Sequence, residues 1–125
     1  MTEQSHILII EDEDLLAGVL QDKLTQAGFH VSRAKDAEDG LSVVRENTPT
    51  LIVTDILLPG MDGIEMITLI RNEGFSVPII ALTNLEDTRE VAAILNGPND
   101  RVLKKTYQTL ENLVTTISNA ARHAI

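Results

Sequence analysis

The sequence predicts one α/β domain over residues 1–125: a single doubly wound, five-stranded parallel sheet with helices on both faces. Three observations lead there. Short apolar runs such as Ile7–Ile10, Leu51–Thr54 and Pro78–Leu82 are of strand length and suit strands buried on both faces. Between them apolar residues recur at steps of three and four, the period of a helix with one buried side. The two patterns alternate five times, and strands separated by helices form a parallel sheet through right-handed crossovers.

The first strand covers about 6–10. Leu16, Leu20, Leu24 and Ala27 then outline a helix whose early acids suit the positive end of its dipole, and Gly28 stops it. Phe29 to Ala34 is the second strand. Asp36 caps a second helix with Ala37, Leu41 and Val44 inward, although Gly40 within it costs about 1 kcal/mol relative to alanine. Residues 51–54 make the third strand, ending on Asp55, after which Pro59, Gly60 and Gly63 interrupt regular structure. A third helix follows over about 64–73, with Met66, Ile67 and Ile70 buried and Gly74 as its stop. The fourth strand opens at Pro78 and ends on Thr83-Asn84. The fourth helix is expected over about 87–96, showing Val91, Ala92 and Leu95 before Gly97-Pro98. Val102-Leu103 is a very short fifth strand ending on Lys104-Lys105. The last helix runs from about 109 to 122 on Leu110, Leu113, Val114, Ile117 and Ala121.

Composition removes several function classes. A net charge of −9 argues against a direct nucleic-acid binder, which needs a cationic surplus for phosphates. Phe29, Phe75 and Tyr107 are the only aromatic side chains of those types, too few for a base-stacking platform. The absence of cysteine excludes disulfides, zinc fingers and thiol nucleophiles. No apolar run approaches eighteen residues and no leader pattern precedes the first strand, so no membrane insertion and a cytoplasmic location are expected.

The chemistry collects at the strand ends. The first strand delivers Glu11 and Asp12, the third Asp55, the fourth Thr83 and the fifth Lys104. All open on the carboxyl edge, where open α/β sheets bind ligands. Taken singly, each has an ordinary structural reading, as a first-turn acid, a turn residue or a solvated lysine. Together, three clustered carboxylates call for a cation, and Mg2+ suits them because it takes a few carboxylates, keeps waters and coordinates phosphate oxygens. Asp55 is then a nucleophile for phosphorus, with Thr83 and Lys104 to meet two phosphoryl oxygens. His6, His30 and His123 have no metal-ligand spacing.

Four stretches in this order carry a family resemblance: Ile7–Asp14, Asp55–Gly63, Ala81–Thr83 and Lys104. The chain resembles, over its whole length, the receiver domain of bacterial two-component response regulators. The resemblance implies a flavodoxin-like fold with strand order 2-1-3-4-5. It implies that Asp55 accepts a phosphoryl group from a phosphohistidine of a histidine kinase or phosphotransfer protein. Asp12 would hold Mg2+ directly and Glu11 through water, with Asp55 and the backbone carbonyl of Leu57 as further ligands. Thr83 and Lys104 would sense the phosphoryl group and signal through the face of the fourth helix, fifth strand and fifth helix, to a downstream protein or to a fused output domain absent from this chain. Such a domain promotes its own phosphorylation and dephosphorylation and is not an enzyme with a turned-over substrate.

Three positions depart from the pattern. Lys105 follows the family lysine where proline is usual, Arg101 replaces the aromatic switch residue, and Asn84 stands where a small residue is common. An arginine is costly to bury in an aromatic slot, so an altered switch is expected. Two alternatives follow. One is a receiver-like interaction module with little phosphorylation-driven switching. The other is a phosphatase of the haloacid dehalogenase type, for which Asp12-Glu13-Asp14 offers a superficial motif but Leu16 and the lack of a cap-sized insertion fit poorly.

Overall fold

The computed structural model describes residues 4–124, so the ends of the expected domain, 1–3 and 125, lie outside the described residues. Five strands, β1 (His6–Ile10), β2 (His30–Ala34), β3 (Leu51–Asp55), β4 (Ile79–Thr83) and β5 (Arg101–Lys104), alternate with α1 (Asp14–Gln26), α2 (Ala37–Glu46), α3 (Gly63–Asn72), α4 (Arg89–Ile94) and α5 (Leu110–His123). A single 3-10 turn, Lys105–Tyr107, links β5 to α5. The sheet is parallel throughout, in the order β2-β1-β3-β4-β5.

Alternation along the strands divides the core into two layers, since successive side chains point to opposite faces. Leu8, Ile10, Ile52, Ile79 and Ala81 pack with Leu41, Val44, Met66, Ile67, Ile70 and Val91 from α2, α3 and α4. Ile7, Ile9, Leu51, Val53, Ile80 and Leu82 pack with Leu20, Leu24, Leu113, Ile117 and Ala121 from α1 and α5. The central strands are therefore apolar on both faces, and every residue of β1, β3 and β4 is buried.

Local chemistry sets the helix limits. Asp36 caps α2 by accepting from the Asp39 N–H at 2.8 Å, as its position predicts, and Asp62 does the same for Glu65 at the start of α3. Gly28 and Gly74 take positive φ of 100° and 92°, the left-handed conformation that ends α1 and α3. Gly40 has a packing reason: a Cβ there would stand 2.6 Å from Ile10 Cδ1, so the missing side chain lets α2 lie against β1.

Three expectations change. Helix α4 is shorter than 87–96, because Thr88 supplies no side-chain cap and Leu95 leaves helical geometry at ψ 84°. Its Ala92 is exposed, leaving Val91 as its buried anchor. Ala27 is exposed at the C-cap of α1, where Ala17 completes the buried stripe instead. Strand β5 extends beyond 102–103 to Arg101–Lys104, paired in register with Ile80–Thr83.

Candidate functional site

The ends of β1, β3 and β4 bring four of the expected residues to one edge. Glu11 follows β1 and is buried, Asp12 beside it is exposed, and Asp55 closes β3 and is buried. Each of the three offers a carboxylate oxygen, and those oxygens lie within 4.8 Å of one another. Thr83 ends β4 fully buried, its Oγ1 accepting from the Leu85 N–H at 2.9 Å. Asp55 Oδ1 accepts from the Leu57 N–H at 3.2 Å, which folds the loop after β3 back over the carboxylate.

Two supports hold these groups. Gly63 donates its N–H to Ile56 O at 2.8 Å, and a Cβ on Gly63 would meet Asp55 O and Ile56 Cα at 2.8 Å each. Helix α3 can start against the peptide that follows Asp55 only because residue 63 is glycine. On the other side, Arg33 of β2 donates from Nε and Nη2 to the Glu11 carbonyl at 3.0 and 2.8 Å, and from Nη2 to Asp14 at 2.9 Å. A largely buried guanidinium thus fastens the acidic turn between β1 and α1.

The lysine at the site differs from expectation. Lys104, expected to meet a phosphoryl oxygen, donates its Nζ to Leu85 O. Lys105 reaches the carboxylates: its Nζ is 2.8 Å from Asp55 Oδ2, 2.7 Å from Glu11 Oε1 and 3.7 Å from Glu13 Oε2, with 14% of the side chain exposed. The Lys104–Lys105 peptide is trans, like the others among the described residues. Sequence reasoning placed Lys105 only as a substitute for proline; adjacent lysines give no pattern that says which one crosses the sheet edge. Arg33 had no signal either, because only the strand pairing carries it to Glu11.

Charge explains the local protonation. Burial pushes the Glu11 carboxyl up from its ordinary value, and Lys105 pulls it part of the way back. For Lys105, burial favours loss of the proton, but Asp55 and Glu11 outweigh it and hold the ammonium above the usual lysine range. Glu11 Oε1 is buried and faces the Lys105 ammonium at 2.7 Å. Three hard carboxylate oxygens within 4.8 Å of one another fit a small divalent cation such as Mg2+.

Arg101 lies elsewhere. It is exposed at the start of β5 and lines a groove of about 500 Å³ with Pro78, Asn99, Thr116, Asn119 and His123, none of them near-edge site residues. Leu57 is exposed, and its N–H donates to Asp55 Oδ1.

The family model for the response regulator receiver domain matches residues 7–118. The chain belongs to this family. It is similar to the transcriptional regulatory protein AfsQ1 of Streptomyces coelicolor, with 42% identity over 99 residues, 78% of this chain and 44% of that protein. It is likewise similar to the uncharacterized transcriptional regulatory protein YkoG of Bacillus subtilis, with 34% identity over 121 residues, 96% of this chain and 52% of that one. The receiver thus spans about half the length of the curated relatives it matches. In fold, the receiver domain of the Francisella response regulator 1452 superposes with a TM-score of 0.85 at 22% identity, over 98% of this chain and 100% of that one. The expected flavodoxin-like receiver fold and its strand order are those of the structure.

Proposed function

We propose that this receiver accepts a phosphoryl group on Asp55 from the phosphohistidine of a histidine kinase or phosphotransfer protein, in a Mg2+-dependent reaction. The observation that carries the reading is the meeting of Glu11, Asp12 and Asp55 within 4.8 Å at the carboxyl edge, with an ammonium on Asp55 and the Thr83 hydroxyl at the next strand end. In the transfer an Asp55 carboxylate oxygen forms the O–P bond while the donor's N–P bond breaks, its electron pair leaving with the imidazole. Phosphoryl transfer asks the protein for positioning and for charge at the phosphoryl oxygens. Glu11, Asp12, Asp55 and the Leu57 carbonyl are the groups that would hold Mg2+, which when bound supplies positive charge to those oxygens. Leu57 N–H and the strand end orient the Asp55 carboxylate, and Thr83 keeps its hydroxyl proton to donate to a phosphoryl oxygen.

The output face is that of α4, β5 and α5, where Arg101 is exposed in place of an inward aromatic. The partner on that face is a downstream protein or a fused output domain, in keeping with relatives named as transcriptional regulators. The site of action is cytoplasmic; no described helix is long and apolar enough to cross a membrane. One observation favours a second reading, a partner-regulated module with little phosphorylation: Lys105 already pairs with Glu11 and Asp55 from within the chain. Beryllofluoride with magnesium separates the two. Fluorine NMR should show a bound species in the wild type that disappears in Asp55→Asn; a folded wild-type protein with free signals alone would favour the second reading.

A further inference from the structure

We propose that Arg33 is a positioning residue for the divalent cation: it sets the Glu11–Asp12 peptide so that Asp12 completes the cation site, and it holds Asp14 away from that site. The assignment rests on the reading of Glu11, Asp12 and Asp55 as the cation's carboxylates.

Four acids stand in a row, Glu11-Asp12-Glu13-Asp14, and residue type alone does not say which of them serve. The edge strand β2 makes the selection. Val31 packs in the layer of α1 and α5, and alternation puts Arg33 on the same face, opposite Ile9 in register. From there the guanidinium reaches the turn that opens α1. Its Nε and Nη2 donate to Glu11 O at 3.0 and 2.8 Å, while the Glu11 N–H donates to Ala34 O at 3.1 Å. Both backbone groups of Glu11 are thus tied to β2. A planar fork on one carbonyl fixes direction as well as distance. Because the peptide unit is planar, a fixed Glu11 carbonyl also fixes the N–H and Cα of Asp12.

Asp12 depends on this hold more than its neighbours do. Glu11 Oε2 accepts from the Glu13 N–H at 3.2 Å, and Lys105 pairs with Glu11, Glu13 and Asp55. Neither Lys105 nor Arg33 pairs with the exposed Asp12 carboxylate among the described residues. Asp14 is drawn the other way: its Oδ1 lies 2.9 Å from Arg33 Nη2, and it stands outside the group formed by Glu11, Asp12 and Asp55.

Two signatures separate positioning from charge. Loss of a nearby positive charge alone would strengthen cation binding, whereas loss of positioning weakens it. Mg2+ demands near-octahedral ligands at short range and Ca2+ accepts irregular sets, so a displaced Asp12 penalises Mg2+ more.

The test titrates the full chain separately with MgCl2 and CaCl2, read by amide NMR, which also verifies the fold. The variants are Arg33→Met, Arg33→Lys and, as a charge control, Lys35→Met, whose ammonium lies 3.7 Å from Asp14. We expect Arg33→Met to bind Mg2+ roughly tenfold more weakly, with a smaller loss for Ca2+. Arg33→Lys keeps the charge without the fork and should fall between it and the wild type. Lys35→Met should keep the Mg2+ to Ca2+ affinity ratio within about twofold of the wild type. Unchanged or tighter Mg2+ binding in Arg33→Met overturns the assignment, as do equal losses for the two ions. Should Arg33→Met fail to fold, Arg33→Lys decides: a lowered Mg2+ to Ca2+ ratio supports the assignment and a wild-type ratio overturns it. A wild type that binds neither ion overturns the cation reading and the assignment together, whereas a binding wild type with an unchanged Arg33→Met overturns the assignment alone.

Discussion

His6 illustrates what one buried side chain can do to the whole stability curve. It opens β1 directly opposite His30 in register, with ring centroids 4.7 Å apart. Its Nε2 lies 2.8 Å from Ser32 Oγ, while Nδ1 is buried without a partner among the described residues. Burial first, and the charge of His30 second, lower the imidazole below its ordinary value. The unfolded chain therefore binds the proton more readily than the folded one just below about pH 6.5, and stability rises with pH across that window. Urea unfolding midpoints should fall as pH drops below about 6.5, and His6→Gln should flatten that fall. An unchanged slope in the variant would place the acid sensitivity elsewhere. At the acidic edge the residue-level lesson is different: the roles of Arg33 and Lys105 are set by strand pairing and a turn, so neither is visible in the order of letters.

At the level of elements, glycine marks where two pieces of backbone must approach. Gly63 begins α3 against Asp55 O and Ile56 Cα, and backbone atoms at 2.8 Å cannot move aside as a side-chain end can. Gly63→Ala should therefore cost about 1–3 kcal/mol and shift the Asp55 loop. Gly18, in the middle of α1, has no atom within 4 Å of a Cβ, so Gly18→Ala should raise stability by up to about 1 kcal/mol. Thermal unfolding of the two variants checks both signs; stabilisation by Gly63→Ala would contradict the packing account. Elements were legible in the sequence where local chemistry decides them. Apolar runs marked β1, β3 and β4, the Asp36 cap marked α2, and Gly28 and Gly74 marked two helix ends. Helix α4 was overread because Ala92 and Leu95 look like a buried stripe, whereas the short helix buries Val91 alone of its residues.

For the whole molecule, an apolar sheet with a core on each face presents a polar carboxyl edge, and the site is a property of that edge. Glu11, Asp12, Asp55 and Thr83 were legible because each directly ends or follows a strand, and parallel strands must open on one side. The lysine was legible only as a pair, since its choice depends on how β5 ends and how Asn84 holds the turn after it. The acidic edge carries an internal ammonium against two of its carboxylates, and the chain as a whole carries a net charge of −9, which disfavours contact with nucleic-acid phosphates. The central claim is that Asp55 is the phosphoryl acceptor. Intact-protein mass spectrometry after incubation with acetyl phosphate, with and without Mg2+, tests it in wild type and Asp55→Asn. The account predicts a gain of one phosphoryl group in the wild type with metal and none in Asp55→Asn; a gain that survives Asp55→Asn would contradict it.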